Sequence, residues 1–346
     1  MFGNGRIRQV VLKVLRIHHP KVPSPYLRVT MGKHLIVGAS GQLGIELMLG
    51  LQQRYGADHV VLSDLNPSPH PDAALSEFIC ADATDIVQMR ELLARKEFDV
   101  VYNLVALLSA KGEENHLKAW DLNMSPLLHT LELAREGMVK RVFWPSSIAV
   151  FGPDAPKTNT PQMAALFPTT VYGVSKSAGE LWCKYYHEKF GVDVRSIRYP
   201  GLVGFRSMPG GGTTDYAVDA FHRAIEGNPL TCYLNPDERL PMMTMSDAVR
   251  GTIQLMEAPS MNIGVRTSYN LHGCDFSPAE LFATLAARIP GFVAHYQPDH
   301  RQNIAASWPD SLDDSHARND WGWKPEHDLD GLVQNVLDGL AQPMHG

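Results

Sequence analysis

Cysteine is scarce in this chain. Its four thiols, Cys80, Cys183, Cys232 and Cys274, are scattered through 346 residues, and none stands at the spacing of a zinc-ligand pair. That argues against a disulfide-stapled scaffold and a metal site, and it points to a reducing compartment. Long apolar runs are absent too. A membrane-crossing helix needs roughly 18 apolar residues, and the best candidate, 100–110, is short and broken by Asn103. No membrane is expected as a partner. Nor is there an excess of positive charge: the net charge is -6 and the sequence pI near 6.2, so a nucleic-acid surface is not expected. Acid is missing from one place only. The first thirty-three residues carry Arg6, Arg8, Lys13, Arg16, Lys21, Arg28 and Lys33, and the first acidic side chain is Glu46. Such a leader reads either as a transit peptide, which would place the protein in the mitochondrial matrix, or as an upstream extension with the natural start at Met31. Its only aliphatic hydroxyls, Ser24 and Thr30, favour the second reading and a cytoplasmic protein. Residues 1–32 are therefore set aside as a basic extension outside the fold.

What is present is a repeated rhythm. Short apolar runs at 34–37, 59–63, 76–80, 99–103, 141–144 and 192–199 alternate with helical spacing at 42–55, 85–96, 116–135 and the stretch carrying Tyr172. Strands alternating with helices imply right-handed crossovers and a parallel, doubly wound sheet. Beyond Tyr199 the rhythm gives way to a glycine-rich loop, a helix near 214–226 and shorter elements broken by prolines. The expected architecture is an α/β nucleotide-binding domain over 33–200. The remainder, 201–346, forms mostly a smaller α/β cap, with about 245–272 returning to the sheet. No repeat or low-complexity linker separates the two.

The first strand ends at Gly38-Ala-Ser-Gly41-Gln-Leu-Gly44, at the opening of a helix. Small residues let the backbone approach a pyrophosphate, and the N–H groups of a helix start favour its charge. Cofactor contacts are expected from Gly38, Ser40, Gly41, Gln42, Leu43 and Gly44. Asp64 closes the second strand, where a carboxylate accepts from the adenosine ribose hydroxyls and repels a 2′-phosphate, so NAD is preferred to NADP. Asp82 and the adjoining Ala83 follow the third strand; Asp82 either bonds the adenine edge or starts the next helix. Leu104 and Ala106 after the fourth strand, and Tyr199 with Pro200 after the sixth, complete the expected cofactor lining.

Tyr172-Gly-Val-Ser-Lys176 is the stretch that carries chemistry. Free phenols and ammonium groups titrate near ~10 and ~10.4, so neither is a base at neutral pH. Positions i and i+4 share a helix face, and the Lys176 cation is expected to lower the Tyr172 pKa and make the phenol a general base. Ser147, at a strand end 25 residues earlier, is expected to donate to a substrate oxygen. Neighbouring Ser146 should point to the opposite face.

The glycine turn, Ser147, Tyr172-x-x-x-Lys176 and Trp321-Gly-Trp-Lys-Pro325 together resemble the extended short-chain dehydrogenase/reductase family, of the NAD-dependent epimerase/dehydratase type, over about residues 33 to 342. Within it, Ala106-Leu-Leu-Ser-Ala110, 145–153, Arg198-Tyr-Pro-Gly201, Gly210-Gly-Gly-Thr-Thr-Asp-Tyr-Ala217 and 299–309 are similar to the L-threonine 3-dehydrogenase branch. The resemblance implies a Rossmann-type fold and oxidation of the C3 hydroxyl of L-threonine by NAD to 2-amino-3-oxobutyrate. It implies Tyr172, Lys176 and Ser147 as the catalytic set, and Ser109, Thr213, Thr214, Asp215 and Trp308 as substrate-pocket residues beside Ser147 and Tyr172. It also implies a homodimer through the helices that begin at His116 and Val171. Read without it, Thr213 to Asp215 are first of all a helix cap. The rival reading is a nucleotide-sugar epimerase or dehydratase, which would hold a diphosphate with cap arginines from among Arg206, Arg223, Arg239 and Arg301.

Overall fold

A computed structural model of the protein describes residues 32–341, and from Gly32 onward the chain forms one compact unit. Nearly all of the basic segment 1–32 lies outside the described residues. Strand β1 (Lys33–Val37) is buried on both sides: Leu35 and Val37 face one layer and Ile36 the other. It turns through Gly38 into helix α1 (Gln42–Tyr55), and β2 (Val60–Asp64) and β3 (Glu77–Cys80) extend the sheet to one side. Helix α2 (Ile86–Ala94) is started by Asp85, which accepts from Val87 N at 2.8 Å. Then β4 (Phe98–Asn103) pairs with β1 on its other side. A short helix α3 (Ser109–Gly112) and the long α4 (His116–Arg135) lead to β5 (Val139–Ser147). Helix α5 (Val171–Phe190), capped by Thr170, leads to β6 (Asp193–Tyr199). The sheet runs Tyr269–Asn270, β6, β5, β4, β1, β2, β3, and every pairing is parallel. The fold is a Rossmann-type α/β sandwich. The winding reverses between β1 and β4, and the strands' carboxyl ends open there into a crevice.

The C-terminal part builds a second layer on that edge. It comprises β7 (Gly201–Val203), α6 (Tyr216–Glu226), β8 (Leu230–Cys232), β9 (Leu240–Thr244) and α7 (Met245–Glu257). After these come β10 (Tyr269–Asn270), β11 (Cys274–Phe276), α8 (Pro278–Arg288), β12 (Ala294–Tyr296), α9 (His300–Ala305), α10 (Ser315–Trp321) and α11 (Leu329–Ala341). Two small sheets, β11-β9-β7 and β12-β8, sit over a core of Tyr216, Phe221, Leu281, Leu285 and Val333. Helix α7 packs against α1, Val249 and Leu255 joining Leu47 and Leu51, and β10 completes the main sheet. Ala317, Trp321 and Trp323 lie in that same cluster, so the 315–323 stretch also belongs with the main-sheet layer. All four cysteines are free; Cys80 is exposed and the others are buried. No helix among the described residues is long and apolar enough to cross a membrane.

Candidate active site

The crevice at the switch point is a cavity of about 710 Å³. One wall is the β1–α1 turn. Gly38 has φ of +85°, a conformation open to glycine, and Gly38 N and Ala39 N donate to Ser63 O at 2.9 and 3.2 Å. A side chain on Gly44 would meet Gly38 O and come within 2.7 Å of Ala39 O, so only glycine lets α1 start this close to the turn. No side chain caps α1, which leaves its first N–H groups for an anion. The Asp64 carboxylate holds the turn from below, accepting from Ser40 N at 3.0 Å and from Leu65 N at 2.7 Å. Gln42 reaches across the cavity, its Nε2 donating to Met208 O at 2.7 Å.

The second wall carries the hydroxyls and the lysine. Ser147 ends β5, and its Oγ accepts from Ala149 N at 3.2 Å. Tyr172 and Lys176 lie one helical turn apart on α5, whose backbone is pressed onto the strand because Gly173 and Gly179 leave room for Ala149 and Trp144. Lys176 is 2 % exposed; its Nζ donates to Pro145 O at 2.6 Å and sits 4.5 Å from the Trp144 ring centroid and 5.5 Å from that of Tyr172. Burial pulls the Lys176 pKa down to about 7, against the opposing pull of Cys183 and Glu180. Burial also pushes the Tyr172 phenol up to about 12, and a hydrogen bond with Ser147 counters it only in part. The expectation that Lys176 lowers the Tyr172 pKa is thus not what this geometry produces: desolvation penalises both charged forms, and the ammonium is turned to the Pro145 carbonyl. The two serines of β5 alternate. Ser146 Oγ donates inward to Glu180 Oε1 at 2.6 Å, away from Tyr172.

The third wall comes from the C-terminal part. Ser109 and Thr213 are buried and bonded Oγ to Oγ at 3.0 Å, joining α3 to the glycine loop. Asp215 does not cap α6 with its side chain. Instead Oδ2 accepts from Gly210 N, Gly211 N and Gly212 N at 2.7, 2.8 and 2.9 Å, leaving Oδ1 as its free oxygen. Its pKa is raised by burial. Thr214 and buried Trp308 close the space. Leu43, Leu104, Ala106, Tyr199 and Pro200 line the cavity. The Tyr199 hydroxyl, however, is bonded to Thr252 on α7 and faces away from it.

Three residues expected at the cofactor, Asp64, Asp82 and Ala83, are not part of the cavity lining. Asp64 connects through Ser40, whereas Asp82 Oδ1 accepts from Thr84 N at 2.8 Å and so shapes the turn before α2. Lys111 and Met208 line the cavity without having been expected there, because a lone exposed cation and a loop methionine carry no pattern, and of the four arginines named for the nucleotide-sugar reading only Arg206 is in the lining. Asn123 is another omission. From α4 it accepts from Leu107 N at 2.7 Å and donates to Ser175 Oγ at 3.0 Å, tying the β4 loop to α5.

A parallel sheet with a glycine turn at its switch point and a serine, tyrosine and lysine on the facing wall defines the class of extended short-chain dehydrogenases/reductases. The model of the NAD dependent epimerase/dehydratase family matches residues 34–271, and this chain belongs to that family. An uncharacterized epimerase/dehydratase from Staphylococcus saprophyticus is 44% identical over 313 residues, 90% of this chain and 97% of that protein. Among solved structures, the holo form of a GalE-like L-threonine dehydrogenase from Cupriavidus necator is 52% identical with a TM-score of 0.87, covering 89% of this chain and 99% of that one. L-Threonine dehydrogenase from Clostridium difficile is 41% identical with a TM-score of 0.87, covering 91% and 99%.

Proposed function

We propose that the protein uses NAD to oxidise the C3 hydroxyl of L-threonine to 2-amino-3-oxobutyrate, as part of threonine breakdown. The observation that carries this reading is the wall facing Tyr172. It is built of small hydroxyls and one carboxylate, a set sized for an amino acid, while every cap arginine a sugar diphosphate would need is already paired. Arg206 is bonded to Glu46 at 2.6 Å, Arg223 to Asp219 at 3.3 Å, Arg239 to Asp275 at 2.7 Å and Arg301 to Asp299 at 2.6 Å. The named L-threonine dehydrogenases among the similar structures support the same reading.

The residues present fit NAD: Gly38 and Gly44 let the turn pack closely against the β4 loop and the start of α1, that start has no side-chain cap to occupy its N–H groups, and Asp64 at the end of β2 holds the turn through Ser40 N. When bound, NAD would supply the acceptor for the C3 hydride and a positive charge that favours the phenolate form of Tyr172. Tyr172 takes the hydroxyl proton as the C3–H bond breaks and the carbonyl forms. Ser147 donates to the substrate oxygen and holds it in line, and Lys176 keeps the phenolate in charge balance. Thr213, Thr214 and the adjoining backbone receive the carboxylate, Ser109 fixes Thr213, Asp215 Oδ1 pairs with the ammonium, and Trp308 excludes water.

Exposed Leu117 and Trp120 on α4, with Leu181, Trp182 and Tyr185 on α5, form an apolar face that we read as a two-fold dimer interface. The bacterial origin of the relatives named above supports a cytoplasmic location. The test of function is NADH absorbance on mixing purified protein and NAD with L-threonine, D-threonine, L-allo-threonine, L-serine or 3-hydroxybutyrate. Reduction selective for L-threonine is expected. Silence with every amino acid, in protein shown to bind NAD, would overturn the assignment in favour of a nucleotide sugar.

A further inference from the structure

Directly behind the catalytic wall is a buried charge cluster that the chemistry above does not use. Glu180 on α5 is 0 % exposed and lies one helical turn beyond Lys176. Its Oε1 accepts from Ser146 Oγ at 2.6 Å and from Arg198 Nε at 2.8 Å, and its Oε2 accepts from an Arg198 terminal nitrogen at 2.7 Å. Arg198, on β6, donates in turn to Gln162 O at 2.8 Å and Asn270 Oδ1 at 3.1 Å. Three elements of the active-site wall, β5, α5 and β6, are therefore tied to one carboxylate. A fully buried ion pair contributes little net stability, because desolvation offsets the Coulomb attraction. Its placement beside the working residues calls for another role.

We propose that Glu180 is a positioning residue that keeps the Lys176 ammonium charged and fixes the end of β5 on which Ser147 is carried. Two features support it. The bond from Ser146 turns that residue inward and so commits the next one, Ser147, to the cavity, since neighbouring strand residues face opposite ways. Glu180 is also the carboxylate on the helical face of Lys176. The other groups facing the lysine are the Tyr172 phenol, the Cys183 thiol, the Trp144 ring and the Pro145 carbonyl. Arg198 binds both oxygens of Glu180 from the strand side, and the groups that oppose the effect of burial on Lys176 are Cys183 and Glu180.

The inference rests on the Tyr172–Lys176 reading, but its test does not need turnover. In cofactor-free protein with 13C-labelled lysines, the Lys176 side-chain resonance is the one that disappears in Lys176→Met, and its pH titration reports the ammonium directly. Glu180→Gln is expected to lower the Lys176 midpoint by about one pH unit, a tenfold change in the protonation constant. The alkaline limb of the kcat/KM profile with NAD and L-threonine should move the same way. A merely structural role would lower Tm and leave the midpoint in place, which would overturn the proposal. If Glu180→Gln fails to fold around an unpaired Arg198, the double variant Glu180→Gln/Arg198→Met removes both charges. Its midpoint should still fall because the carboxylate on the lysine's helical face is gone, and an unmoved midpoint there also overturns the inference. A protein inactive on threonine yet showing the shift would sink the substrate assignment and leave Glu180's role standing.

Discussion

Two titratable side chains stand in the wall: Lys176 is buried, and Tyr172 is partly buried at the edge of the cavity. Tyr172→Phe should lower turnover by about 10²–10⁴-fold, while NAD affinity, measured by fluorescence titration, stays close to wild type because the pyrophosphate turn is untouched. Loss of NAD binding in that variant would refute the division of labour. Lys176 makes a pH-dependent stability prediction. Its folded pKa of about 7 lies below its ordinary 10.5, so the unfolded chain binds the extra proton between those values and the folded state gains stability as pH rises through that window. Lys176→Met should therefore raise Tm most below pH 7 and progressively less towards pH 10.5. A gain independent of pH, read by thermal melts across pH 6 to 10, would contradict the desolvated-lysine picture.

The element proposed to hold the cofactor is the β1–α1 unit, and its geometry depends on one missing atom. Gly44→Ala would push a methyl group into the carbonyls of Gly38 and Ala39, an overpacking cost of roughly 1–3 kcal/mol. It should weaken NAD binding more than threonine binding, and equal affinity for NAD by calorimetry would exclude a tight turn. Long elements were legible in the sequence because periodicity accumulates: α1 and α4 fall on 42–55 and 116–135, where helical spacing placed them. Strand β5 extends to Val139–Ser147, past the run at 141–144, because the lysine, proline and serines at its ends break the hydrophobic pattern without breaking the pairing. The three-residue strands β7, β8 and β11, the five-residue β9, and the short helices α3, α9 and α10 left no periodic trace. They exist because neighbouring backbone satisfies their hydrogen bonds.

At the scale of the whole molecule, the active site is a seam. Ser109 and Thr213, 104 residues apart, meet only because the C-terminal layer folds back over the sheet's edge. The exposed face of α4 and α5 makes a prediction at this scale: Leu181, 60 % exposed, replaced by glutamate should convert a dimer to a monomer in sedimentation experiments. An unchanged sedimentation profile, or a monomeric wild type, would remove that interface.

Composition and pattern alone determined the class of fold, the glycine turn, and the tyrosine and lysine on one helix, since strand–helix alternation and the i to i+4 relation are properties of local chain geometry. What only the tertiary structure decided is charge and direction. Whether Lys176 lowers the Tyr172 pKa, whether Asp215 caps a helix or gathers three glycine N–H groups, whether Tyr199 presents its hydroxyl, and which arginines are free all depend on which surfaces are buried together. Burial sets the cost of every charge, and no residue carries its own burial in its name.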